Sequence, residues 1–114
     1  MDRDTAFSYA LSKPGAWSDS PWGEDHDVAK VGEKIFLFPS SREGDPAISI
    51  KNTAEAIEEL KRRYPDHAGP APYLNKQLWA QVLIEHLPDD EVYELIDDSY
   101  ELVVAGLPKA KRPV

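Results

Sequence analysis

Residues 27–51 read DVAKVGEKIFLFPSSREGDPAISIK, and this stretch decides the fold. Gly32-Glu33 separates two strand-like runs, Asp27–Val31 and Lys34–Pro39, and a two-residue loop with Gly first suits a type II′ or I′ hairpin. The run Ile35-Phe36-Leu37-Phe38 is apolar at successive positions, hence on both faces, which predicts a central strand. SSREGDP reads as a turn. Ala47–Lys51 then alternates, with Ile48 and Ile50 facing one way. Strands joined by turns this tight run antiparallel.

Before this stretch, Asp4 to about Leu11 reads as a short helix. Phe7, Ala10 and Leu11 recur at helical spacing, and Lys13-Pro14-Gly15 stops it. The segment AWSDSPWGEDH reads as a loop carrying Trp17 and Trp22. After the strands, Asn52 starts a second helix with Glu55 in the capping-box position. Ala54, Ile57, Leu60 and Tyr64 form its inner stripe, and Pro65 ends it. Tyr73–Leu74 and Trp79–Glu85 read as a second hairpin around Asn75-Lys76. Pro88 opens a long last helix with Asp89, Asp90 and Glu91 in its first turn. Its inner stripe is Val92, Leu95, Ile96, Ser99 and Val103, and Gly106-Leu107-Pro108 terminates it. The fold class is α+β, a two-layer sandwich (α-β3-α-β2-α) with a five-stranded antiparallel sheet, helices on one face and the other partly open. Ile35, Leu60, Leu95 and Ile96 are expected in the core. One domain spans 1–107, and 108–114 reads as a flexible basic tail.

The 114 residues are 41% hydrophobic and 30% charged, which suits one domain with a single core. Lysine and arginine number 13 against 21 acids, and a net charge of −8 argues against a strongly basic nucleic-acid clamp. Residues 1–27 and 88–114 each carry a net −4 while 28–87 balance, so the neutral middle leaves room for a mixed binding face. Cysteine is absent, which excludes disulfides, thiolate metal sites and cysteine catalysis. No run approaches ~18 consecutive apolar residues. MDRDTAFSYA is acidic where a signal peptide is basic, so the expectation is a cytoplasmic protein with no membrane partner.

Recognisable catalytic patterns are missing: there is no G-x-S-x-G, Walker A or G-x-G-x-x-G. Asp89, Asp90 and Glu91 are the acids that a helix N-terminus attracts, and Asp97, Asp98 and Glu101 suit the solvated face of the same helix. Glu24-Asp25-His26-Asp27 has metal-ligand chemistry, but adjacent residues of an extended segment point to opposite sides and cannot all converge on one ion. His67 and His86 are isolated from each other by pattern and lie outside any zinc-type spacing. The expectation is a protein without enzymatic activity, metal or cofactor.

Two features remain. Trp17, Trp22 and Trp79 can line a pocket or partner site on a half-covered sheet. Lys30, Lys34, Lys51 and Lys76 fall on the hairpins, and Lys109, Lys111 and Arg112 in the tail; Lys61-Arg62-Arg63 is what a helix C-terminus favours. The candidate binding residues are Trp22, Lys34, Asn75, Lys76, Trp79 and Lys109, centred on the Asn75-Lys76-x-x-Trp79 turn. There Asn shapes the turn, Lys supplies a mobile cation and Trp a broad ring, a combination that suits an anionic or aromatic partner.

Six stretches together resemble the MmcQ/YjbR family: PWG (Pro21–Gly23), KVGEKIFLF (Lys30–Phe38), RYP (Arg63–Pro65), YLNKQLW (Tyr73–Trp79), LPDDE (Leu87–Glu91) and SYELVVAGLPK (Ser99–Lys109). The likeness runs in order over nearly the whole chain. It implies the α-β3-α-β2-α topology, a likeness to secretion-chaperone folds, and a DNA-binding role through hairpins that have been compared to a double wing. It implies no established reaction, substrate or catalytic residue. Many members look to carry His where Tyr73 stands and Arg-His where Gln77-Leu78 stand, so this hairpin lacks a cation and a titratable ring. Two functions follow as expectations for a monomer: nucleic-acid binding through the hairpin lysines and the tail, or a protein- or small-ligand-binding adaptor that uses the open sheet face and the Trp loop. A basic patch joining Lys34, Lys76 and Lys109 marks the first, and an apolar groove beside Trp79 the second.

Overall fold

Turn chemistry sets the central hairpins of the structure, a computed structural model that describes residues 1–23 and 26–113. Strand β2 (Val28–Val31) turns through Gly32, at φ +59°, into β3 (Lys34–Arg42). A Cβ at Gly32 would lie 3.1 Å from both Leu107 methyls, so the turn closes on the chain that leaves the last helix. β3 meets β4 (Asp45–Lys51) through Glu43-Gly44, both at positive φ. β3 thus runs on to Arg42, past the Pro39 end expected from sequence, and only two residues of SSREGDP turn.

Helix α1 (Arg3–Leu11) is capped by Asp2, whose carboxylate accepts the Thr5 N–H at 2.7 Å. It leads into β1 (Ala16–Asp19), which the sequence reading placed in a loop. AWSD shows no apolar alternation; it becomes a strand because β2 offers it an edge, pairing Ala16 with Val31 through Asp19 with Val28. Helix α2 (Ala54–Arg63) starts one residue later than expected. Thr53 Oγ1 accepts the Ala56 N–H, while Asn52 Oδ1 takes the N–H of Thr53. Ile57 and Leu60 are buried as expected, but Ala54 faces solvent in the first turn. The second hairpin is β5 (Ala68–Pro70) with β6 (Trp79–Leu83); Tyr73–Leu74 and Asn75-Lys76 belong to the long connection rather than to a strand and its turn. Helix α3 (Asp89–Ala105) buries Val92, Leu95, Ile96, Ser99 and Val103, the stripe its spacing predicts.

The sheet has six strands in the order β1-β2-β3-β4-β6-β5, antiparallel at every pair. The α+β class stands, and the five-strand expectation becomes six. One face of the sheet, with Ala29, Val31, Leu37, Ile50 and Val82, shares a continuous core with Ala6 and Ala10 of α1, Ile57 and Leu60 of α2, and Ile96 of α3. Tyr9 of α1 donates to Asp97 of α3 at 2.7 Å, and Lys13 pairs with the same carboxylate. Among the described residues, no helix is long and apolar enough to cross a membrane.

A single irregularity shapes the other face. Ala29 pairs with Leu37 but Lys30 with Ile35, so β3 carries one extra residue, Phe36, against β2. Phe36 and Leu37 are both fully buried in the core, and Phe36 meets Tyr100 of α3 edge-on at 5.3 Å. Ile35 and Phe38 are left on the opposite face, both half-buried. The core position expected for Ile35 is corrected accordingly. Ser99 secures the bulge: its hydroxyl donates to the Phe36 carbonyl (2.6 Å) and accepts the Lys51 N–H (2.9 Å). Beyond α3, a 3₁₀ turn covers Lys109–Lys111, Arg112 donates to the carbonyls of Ala105 and Leu107 at 2.9 Å each, and Pro113 fills the space above Gly15. The segment read as a basic tail thus closes onto the domain.

Candidate functional site

Cross-strand register decides what the sheet face opposite the core displays. Phe38, Ser49 and Gln81 stand side by side across β3, β4 and β6, and Lys51 lies directly opposite Trp79. Phe38 is the hub of an aromatic row. Trp22 stacks on it at 6.1 Å and 23°, and Trp79 meets its ring edge-on at 5.4 Å and 69°. Trp22 is 62% exposed, an unusual degree for an indole held against another ring.

Two hollows meet over Ile35 and Phe38, which line both. The larger, about 940 Å³, has Phe7, Trp22, Tyr73 and Leu74 on its walls and Ser49 and Gln81 on its floor. Gln81 is held by its Nε2 donating to Ser40 Oγ at 3.1 Å. Arg3, Asp4, His26 and Asp27 form the polar rim. Tyr73 is fully exposed and sits at φ +65°, a left-handed conformation unusual for a bulky side chain. The smaller hollow, about 510 Å³, opens where β4 has ended and β3 continues back to Lys34. Lys30, Lys34, Lys51 and Glu33 surround Trp79 there, and Leu102, Val103 and Gly106 of α3 close its base. Both volumes lie within the range of roughly 300–1,000 Å³ typical of ligand sites.

The lysines are not equivalent. Lys30 pairs with Asp19 at 2.6 Å and lies 5.3 Å from the Trp17 ring centre. That hydrogen bond holds the Asp19 carboxyl below its ordinary value. Lys34 and Lys51 form no ion pair among the described residues.

Of the residues singled out from sequence, the structure gathers Trp22, Lys34 and Trp79 around one aromatic hub. Asn75 shapes the approach to β6: its Oδ1 accepts the Gln77 N–H, and its carbonyl accepts the N–H groups of Leu78 and Trp79. Lys76 is exposed, with its carbonyl taking a hydrogen bond from Lys61 Nζ at 2.9 Å. Lys109 starts the 3₁₀ turn. Asn75, Lys76 and Lys109 line neither hollow. Sequence reasoning missed Ile35, Phe38 and Tyr73 as site residues. The signal available for Phe38 was the unbroken IFLF run, which exceeds what one buried face needs. It also left Lys51 out of the site.

Among the described residues, no group of three or more His, Asp or Glu is placed to hold a metal ion. The Glu24-Asp25-His26-Asp27 reading falls partly on Glu24 and Asp25, which lie outside the described residues. His67 and His86, isolated in the sequence, in fact stack at 4.5 Å with planes 4° apart, and His86 faces Asp45 at 3.6 Å.

A family model described as YjbR matches residues 11–102. Escherichia coli protein YjbR is 34% identical over 107 residues, covering 93% of this chain and 90% of that protein. Escherichia coli protein YbdF is 35% identical over 107 residues, covering 93% and 87%. Both carry names that mark them as uncharacterized. A crystal structure of a Deinococcus radiodurans protein superposes with a TM-score of 0.85 at 27% identity, covering 96% of this chain and 84% of that one. One from Pseudomonas syringae does so with a TM-score of 0.72 at 26% identity, covering 90% and 98%. With the family model spanning most of the chain and relatives matched almost end to end, the chain belongs to the YjbR family.

Proposed function

We propose that this chain is a non-enzymatic binding module whose working surface is the open face of the sheet, and that it seats a planar, largely apolar group on the Trp22–Phe38–Trp79 row. The observation that carries the reading is that row itself: three large rings with Phe38 touching both tryptophans, and Trp22 mostly exposed, on the sheet face opposite the buried core. Small domains seldom leave such a patch to water without using it. The strained, exposed Tyr73 at the rim supports the same reading. Nothing in the groove needs to react with the ligand.

The test uses a neutral fluorescent probe, N-phenyl-1-naphthylamine, titrated against the full chain. We expect saturable binding that Trp22→Ala weakens by about five- to tenfold, the scale of a lost ring–ring contact. Binding that is absent, or unchanged in both Trp22→Ala and Phe38→Ala, overturns the reading. A second reading, nucleic-acid binding, draws support from the lysines of the smaller hollow rather than from a continuous basic face. Lys34 lines that hollow, whereas Lys76 and Lys109 do not. Its mark would be strong salt dependence from a few phosphate contacts.

A further inference from the structure

We infer that the smaller hollow is a subsite for a planar heteroaromatic group that carries a phosphate, the chemistry of a nucleotide, with the ring against Trp79 and the phosphate between Lys34 and Lys51. The inference rests on the groove reading above and adds to it the charge and identity of the ligand at one end.

Three observations converge. First, Lys51 and Trp79 are a directly opposed pair across β4 and β6. Opposed residues sit with Cβ atoms about 5 Å apart. An anion joined to a ring lying on Trp79 is therefore within reach of the Lys51 ammonium. Second, the lining carries three lysines against one glutamate in a chain whose net charge is −8. Two of those lysines have no carboxylate partner among the described residues, whereas Lys30 is already neutralised by Asp19. Other cations of the domain also lack an ion pair among the described residues, Lys76 and Lys109 among them, but Lys34 and Lys51 are the ones that line the hollow with Trp79. Unpaired lysines beside an indole are arranged as a ligand would need them.

Third, the two hollows differ in charge. The larger carries Asp4 and Asp27 against Arg3 on its rim, and the smaller carries Lys30, Lys34 and Lys51 against Glu33. A ligand with one anionic end is thereby oriented, with its phosphate at the Trp79 end. A phosphate brings up to two charges and several acceptor oxygens, which matches two point-charge lysines better than a single carboxylate does. Stacking on Trp79 and its neighbour Phe38 supplies the apolar half of the recognition.

The chemistry could arrive as a free mononucleotide or as one unit of a single strand, and the experiment separates them. The full chain is titrated by calorimetry at low salt with adenosine monophosphate, and separately with a short oligothymidylate. Each titration is repeated on Lys34→Ala/Lys51→Ala and on Lys34→Arg/Lys51→Arg. We expect one ligand to bind, the alanine double variant to lose about tenfold or more in affinity, and the arginine variant to retain binding. Preference for the monophosphate identifies a free nucleotide, and preference for the oligomer a strand. Absence of binding by both ligands overturns the inference, as does equal binding by the wild type and the alanine variant. N-phenyl-1-naphthylamine run alongside separates the two proposals. If the neutral probe still binds, the subsite fails and the groove reading stands; if it does not, both fail.

Discussion

Ser99→Ala is the substitution that most directly tests how this face is built. The Ser99 hydroxyl is fully buried, donates to Phe36 O at 2.6 Å and accepts from Lys51 N at 2.9 Å. Phe36 is the extra residue of the bulge and is itself fully buried. With the hydroxyl gone, its carbonyl loses this partner in a site closed to water, at a cost of about 1–3 kcal/mol. Lys51 is only half-buried, so its N–H can regain water, and losing that bond adds about 0.5–1 kcal/mol. The sum is about 1.5–4 kcal/mol, a large fraction of a small domain's stability. Urea denaturation reads it as a lower midpoint at unchanged slope. Hydrogen exchange at the Lys51 amide should accelerate in the same variant. The site should feel it too, because the bulge is what turns Ile35 and Phe38 onto the open face, so probe binding should weaken alongside stability. A loss below about 0.5 kcal/mol, with Lys51 protection intact, would refute the claim that Ser99 holds the bulge.

Leu95→Ala should cost about 2–5 kcal/mol in the same assay, since Leu95 is 7% exposed within the α3 stripe. Trp79→Ala should cost about 1.5–2.5 kcal/mol, roughly half the loss for a core indole, because the ring is half-buried against Phe38. Trp22→Ala should cost less than about 1 kcal/mol while lowering acrylamide-accessible fluorescence, the exposed Trp17 supplying the remainder. Acid should destabilise the domain through Asp97. Burial raises its pKa, but the hydrogen bonds from Lys13 and Tyr9 outweigh this and leave it below the ordinary 3.8. Its contribution is therefore complete above that value and lost as pH falls through the lower folded value, so thermal scans below pH 4 should show a shallower decline in Asp97→Asn than in wild type.

Legibility from sequence followed the strength of local signals. The α3 stripe was readable because helical spacing repeats over several turns, from Val92 to Val103. The β2–β3 turn was readable because Gly32 must adopt positive φ between two β-rich runs. β1 and β5 were not. Ala68-Gly69-Pro70 has low strand propensity throughout and is extended because β6 pairs with it, a tertiary effect that no local window contains. The site was half-legible for the same reason. Trp22, Lys34 and Trp79 stand out by residue type, but nothing in IFLF marks Phe36 as the extra residue, and without the bulge Phe38 cannot be assigned to a face. Lys51 and Trp79 meet only through strand register, with α2 and β5 between them in the chain.

That register also resolves how a chain of net charge −8 can present a cationic subsite. Seven of its acids lie on α3, which packs under the sheet and reaches the smaller hollow only through Leu102, Val103 and Gly106 at its C-terminal end. Of those acids none lines the hollow beside Trp79, where Lys30, Lys34 and Lys51 stand against Glu33 within contact range of a ligand. The net charge acts earlier, on approach, where the whole field is felt and an anionic ligand is slowed. Association and residence are thus governed by different charges. Moderate salt should quicken association by screening the acids even as it weakens the contacts with the two lysines. A ligand held only by long-range attraction would show the reverse.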